Sequence, residues 1–226
     1  MDLQLDKSAP TQRADSPLGL ARRPERAIVL YWLSSTLIGV PLLWDWLTTW
    51  NVQATLGNPW LVAYLCASFA LSQVLYVLVA RHAGRPIRWF PLAIFSVGNG
   101  VAETLAFAAV YRLGELLGAG LVGLVAPGAA SLAGFIVGVI CFTIYGGLIH
   151  GFFWLRVLPP HLDDGARSRR IRKWRPVAEV ALVLGWSLCL WLYRDIWTVT
   201  ILHILVDVGL MLLVRPPLFR TQADRG

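Results

Sequence analysis

From residue 27 onward the chain is a succession of long apolar runs, each near the roughly 20 residues a helix needs to cross a bilayer. They fall at about 27–49, 60–80, 89–111, 128–155, 176–194 and 196–214. Runs of this length leave few folds open. In hydrocarbon, backbone polar groups must be satisfied within the structure itself, and an isolated apolar run achieves that as a helix. Composition agrees. Only 15% of residues are charged, against about 25% in a soluble domain, and mean hydropathy is +0.61. The sequence therefore predicts an all-α, polytopic membrane helix bundle of about six transmembrane helices. The membrane domain covers 27–214. A polar, basic tail (1–26) precedes it, and a short tail (215–226) follows. The first tail has no apolar h-region, so a flexible arm is expected rather than a cleaved signal. The stretch 113–127, LGELLGAGLVGLVAP, reads equally as an extension of the third helix, a re-entrant segment or a loop.

The formal charge of +7 would suit nucleic acid, but its distribution points to lipid. Eighteen of the twenty Lys and Arg lie in the two tails, in RHAGRPIR, and between Arg156 and Arg175. Arg112 and Arg194 are left for the opposite side. By the positive-inside rule both termini and the RSRRIRKWR loop are expected to be cytoplasmic. That loop suits anionic headgroups, with a protein docking site as the sharper alternative. No nucleic-acid partner is expected. Trp60, Trp89, Trp154, Trp174, Trp191 and Trp197 fall near predicted helix ends, as interfacial anchors do. Cys66, Cys141 and Cys189 form no CxxC pair and are expected to be reduced. There is no repeat of fixed period and no P-loop, GxGxxG, GxSxG or HExxH.

Ionisable groups inside apolar spans are costly and tend to mark function. WTVTILHILVDVG carries His203 and Asp207 four residues apart, on one helix face, with Thr200 joining the stripe. SVGNGVAETLAF places Ser96, Asn99 and Glu103 on one face of the third helix. CFTIYGGLIHGFFW carries His150 among Gly146, Gly147 and Gly151, small residues that admit a close neighbour. Asp45 is expected at an interface, Ser72 and Gln73 between helices, and Glu179 beside the basic loop. His82 and His161 are expected to be solvated. One polar cavity gathering Glu103, His150, His203 and Asp207 is the economical arrangement. Depth argues against His150: in straight helices with the assigned spans it would stand on the order of 10–15 Å from the other two. Tilt, a kink at Gly146-Gly147, or a longer third helix would close that gap.

These residues resemble the motifs of the CPBP family of membrane proteins, which contains the CAAX prenyl-endopeptidases and the bacterial Abi proteins. The resemblance spans roughly 90–212. LVLGWSLCLWLYRDIWTVTILHILVDVGL is similar to the segment bearing the third motif, HxxxN or HxxxD. IYGGLIHGFFW is similar to the second, which ends in His; Gly146 stands where Phe is usual. VAETLAFAAVYR retains Glu103 of the first motif, EExxxR. The second Glu is then Thr104 and the Arg position Ala108, or the first Glu is Ala102 and the Arg position Phe107. The resemblance implies a glutamate-dependent intramembrane endopeptidase. In it Glu103 activates water, His150 assists, and His203 with Asp207 polarises the scissile carbonyl. The oxyanion role would require a neutral Asp207. The alternative is a CPBP-fold protein without protease activity, serving as a scaffold, assembly or immunity factor. The expected partner is a membrane protein or peptide, as substrate or as assembly partner. No cofactor is expected; a divalent metal at Glu103, His150, His203 and Asp207 is the alternative to cofactor-free chemistry. The expected location is a bacterial plasma membrane, crossed several times.

Overall fold

The computed structural model describes residues 24–81, 86–158, 161–216 and 218–219. Among them the chain is all-helical with no strand. The helices are α1 (Pro24–Leu42), α2 (Trp44–Leu47), α3 (Val52–Leu56), α4 (Pro59–Val79), α5 (Trp89–Gly123), α6 (Ala130–Phe152), α7 (Ala166–Arg172), α8 (Arg175–Tyr193) and α9 (Ile196–Leu213). A π-helical turn, Phe153–Val157, extends α6. Five helices are long and apolar enough to cross a bilayer: α4, α5, α6, α8 and α9.

The order of packing follows from α5. It lies against α1, α6 and α9, while α4 lies against α8 and α9. Its seventeen buried residues make it the axis of the bundle. It is also long: 35 residues rise roughly 52 Å, against about 30 Å of hydrocarbon. The ambiguous stretch 113–127 thus continues the third helix as far as Gly123, and the chain reverses only after it.

Glycines let the α5–α6 hairpin close. Gly114 and Gly118 on α5 face Gly134 and Gly138 on α6, two small-xxx-small pairs that admit backbone contact. A Cβ at Gly118 would stand 2.6 Å from the Ala133 carbonyl oxygen, and one at Gly134 would stand 2.8 Å from that of Glu115. These pairs fix the antiparallel register. Residues about equally far from the turn near residue 125 face each other, so Phe107 meets Phe142 at 4.9 Å between ring centroids.

The remaining elements differ from the expected spans in local ways. The first run begins three residues earlier than expected and stops at Leu42, where Pro41 precedes short α2; Asp45 is exposed on α2, as an interfacial residue should be. Ser72 donates to the Phe69 carbonyl at 2.7 Å, and Gln73 to Ser72 at 3.2 Å. The pair therefore bonds within α4 rather than between helices, because a serine hydroxyl in a helix reaches the preceding turn. Gln73 nevertheless meets α9, where its amide fills the space a Cβ on Gly209 would need. Trp60, Trp89 and Trp174 are exposed near helix ends. The three cysteines are free.

Arg194 adopts a left-handed conformation (φ 54°) and ends α8. Asp195 then caps α9, accepting from Thr198 N at 3.0 Å and from the Thr55 hydroxyl at 2.5 Å. Arg112 and Arg194 meet at one end of the bundle. Both reach Glu115 Oε2, at 3.0 and 2.6 Å, and both lie 5.2 Å from the Trp46 ring centre. Most of the expected tails, and His82, fall outside the described residues. Within the second tail, Leu218 is buried and Phe219 stacks on Trp32 at 5.4 Å, so this part packs against the bundle.

Candidate functional site

Three helices meet at Glu103. From α5, Asn99 donates its amide to Glu103 Oε2 at 2.7 Å, an i,i+4 bond along the helix. From α9, His203 Nε2 stands 3.2 Å from the same oxygen. From α6, His150 Nε2 stands 3.9 Å from it. The Glu103 oxygen and one nitrogen from each ring lie within 4.8 Å of one another, close enough to hold one metal ion.

The expected depth gap for His150 is thus absent. The discrepancy came from the assumed end of the third helix. Because α5 runs to Gly123, α6 starts further along the bundle, and the glycine register carries His150 level with Glu103.

Each ring is held differently. His203 is 2% exposed and lies between Phe107, stacked at 5.8 Å and 4°, and Trp186 at 4.8 Å. Its Nδ1 is 3.1 Å from the Thr104 hydroxyl. A carboxylate only accepts, so in the neutral ring facing one, Nε2 carries the proton and Nδ1 accepts from Thr104. His150 is looser, with its side chain 28% exposed. Phe107 meets it edge-on at 5.5 Å, and Glu179 Oε1 lies 3.6 Å from its Nδ1.

Asp207 belongs to the same network. Its Oδ2 accepts from Asn99 at 3.0 Å and is 3.9 Å from His203 Nε2. One Asn99 amide nitrogen therefore bridges two buried carboxyl groups. The amide oxygen accepts from Trp32 Nε1 at 3.0 Å, tying α1 to the site. Like charges this close in a low-dielectric interior repel strongly, and a shared donor between them offsets part of that repulsion.

Glu103, His150, His203, Asp207 and Asn99 are brought together. Two residues of the expected stripes are not part of the network. Thr200 is buried but donates to the Ile196 carbonyl at 2.9 Å within α9. The Ser96 hydroxyl is buried and finds no hydrogen-bond partner among the described residues. Thr104, Trp32, Phe107, Trp186 and the His150 contact of Glu179 were not singled out by spacing. Thr104 carries the one local signal, a hydroxyl beside Glu103 in a helix that faces α9. The others depend on packing between distant helices.

The chain matches no protein-family model, no curated protein and no solved structure.

Proposed function

We propose that the chain is a CPBP-type intramembrane glutamic endopeptidase, cleaving a membrane-associated protein or peptide with water activated by Glu103. The observation that carries this reading is the convergence of His203 Nε2 and His150 Nε2 on one oxygen of buried Glu103, at 3.2 and 3.9 Å. Asn99 and His203 both engage Oε2, and Oε1 takes the proton from water. The resulting hydroxide adds to the scissile carbonyl carbon. Between Glu103 and Glu179, two carboxylates that only accept, His150 acts as an imidazolium with a proton on each nitrogen. Its Nε2–H donates to the developing oxyanion, where a donor is worth most in a water-poor site. The proton held by Glu103 then passes to the leaving nitrogen as the C–N bond breaks. Phe107 or Ala108, according to register, takes the place of the family's arginine. Both are buried, and Phe107 orients both rings by packing. Asp207 acts by fixing Asn99 rather than by meeting the oxyanion.

The same reading supplies membrane topology. Helix α1 exposes Leu30, Leu33, Leu37 and Ile38 along its length, which suits a sixth crossing. The exposed basic residues of α7 suit the cytoplasmic surface of a bacterial plasma membrane, with both termini on that side.

The test is cleavage of a panel of internally quenched peptides by the protein in liposomes, with products read by mass spectrometry. Wild type is expected to give a discrete product without added metal and in the presence of a chelator. Glu103→Gln and His203→Ala are expected to give none while remaining folded in the bilayer. Cleavage retained in either variant refutes the proposal. Activity lost to the chelator and restored by a divalent ion replaces it with a metal site. No product, together with a membrane partner that co-purifies even with Glu103→Gln, replaces it with the scaffold reading.

A further inference from the structure

The two histidines of the site are held by unequal means. Packing and Thr104 immobilise His203. The His150 side chain is 28% exposed, with Phe107 edge-on to its ring at 5.5 Å. Beside it lies a polar bracket from the start of α8. Glu179 Oε1 is 3.6 Å from His150 Nδ1. Arg175 Nε is 3.5 Å from the same Glu179 oxygen, an i,i+4 pair. Arg175 also donates from Nη1 to the His150 carbonyl at 3.4 Å, and its guanidinium lies 5.4 Å from the Trp154 ring centre. Arg175 thus grips the backbone of His150 while Glu179, which it orients, faces the imidazole of the same residue.

We infer that Glu179 is a positioning residue that holds the His150 imidazole by Nδ1 so that Nε2 faces Glu103, with Arg175 anchoring it. The pattern is that of an outer carboxylate setting the orientation of a functional imidazole through its second nitrogen. The separations are slightly longer than full hydrogen bonds, as catalytic contacts are before substrate tightens them. The basic stretch before α8 then has a second duty besides meeting lipid: its last residue, Arg175, reaches into the site. The kinetic consequence rests on the hydrolytic reading above; the orientation itself does not.

The two are separated by measuring both. In protein labelled with ¹⁵N-histidine and held in lipid nanodiscs, the His150 ring signals are assigned by their loss in His150→Gln. Glu179→Gln is expected to move those signals and leave those of His203 in place. In the peptide assay, Glu179→Gln is expected to lower kcat on the order of 100-fold with KM unchanged. In a His150→Ala background it is expected to have no further effect, because residues acting through one another are not additive. Unmoved His150 signals overturn the inference, and so does an effect of Glu179→Gln that persists in His150→Ala. Should the wild type cleave nothing, the hydrolytic reading fails and the ring signals alone decide the positioning. Should Glu179→Gln not fold, Glu179→Asp, which withdraws the carboxylate by one methylene, is measured the same way.

Discussion

Asn99→Leu removes the link among three helices while keeping the branched outline of the side chain at a greater volume, so it opens no cavity and the loss is one of hydrogen bonds with some overpacking added. Wild-type Asn99 donates to Glu103 at 2.7 Å and to Asp207 at 3.0 Å, and accepts from Trp32 at 3.0 Å. A bond to a charged group contributes about 1.5–3 kcal/mol and a neutral one about 1. Side-chain bonds between membrane helices average nearer ~0.6 kcal/mol, since the unfolded chain in lipid also finds partners. The expected destabilisation is about 2–6 kcal/mol, bounded below by three bonds at the membrane average and above by the two carboxylate bonds. Trp32→Phe removes the indole bond together with part of a ring packed on Phe219 and Phe95; the bond's share is expected to be about 0.5–1 kcal/mol. The assay is reversible unfolding in mixed micelles by titration with a denaturing detergent, followed by circular dichroism. In the double variant the Trp32 increment should fall by the bond's share, because the partner of that bond is already gone. Asn99→Leu within about 0.5 kcal/mol of wild type would refute the bridging role, as surface-like changes fall in that range. So would a Trp32→Phe cost that is undiminished in the Asn99→Leu background.

Three further expectations concern the frame of the site. Gly118→Val would drive a side chain to within 2.6 Å of the Ala133 carbonyl and 2.8 Å of Val137, costing about 3 kcal/mol in the same titration. Gly147→Ala, where an added Cβ meets nothing within 4 Å, should instead be neutral or stabilising by up to about 1 kcal/mol through helix propensity. Asp195→Ala removes the α9 cap and leaves the buried Thr55 hydroxyl alone; about 2–4 kcal/mol is expected, with Asp195→Asn, which keeps the capping oxygen, costing less.

Helix positions were legible in the sequence because hydrocarbon imposes length and apolarity on each run directly. The predicted 60–80 and 196–214 differ from α4 and α9 by one residue at each affected end. Residues 113–127 were not legible for a physical reason. Glycine-rich apolar sequence suits a helix packed on another helix, a re-entrant turn or a loop, and only the partner decides. Here the partner is α6, whose own Gly134 and Gly138 face it. The chemistry-bearing residues were legible singly, because a buried Glu or His is costly enough to stand out. Their supports were not. Trp32, Phe107 and Trp186 look like any aromatic residue in an apolar run, and which ring they meet depends on register between helices. Glu179 was read correctly as a neighbour of basic residues, since it pairs with Arg175, but its approach to His150 crosses from α8 to α6.

Two independent registers meet at Glu103, and this separates what the histidines depend on. His203 is set by the α5–α9 crossing, where a Cβ on Gly100 would stand 2.9 Å from Ile204 Cα. Asn99–Asp207 and Thr104–His203 hold that crossing on either side of Glu103. His150 is set from further away, by the glycine interlock around Gly118 and Gly134. That interlock lies roughly 20 Å up α5 from Glu103 at 1.5 Å per residue. A helix is stiff along its axis, so an error of register at the interlock is carried to His150 almost undiminished, while His203 does not move. The bracket from Arg175 and Glu179 acts at the other end of the same arm. His150 is therefore held at both ends of α6 without being packed tightly at its own position. That arrangement leaves its ring partly open, while the buried His203–Glu103 pair stays fixed.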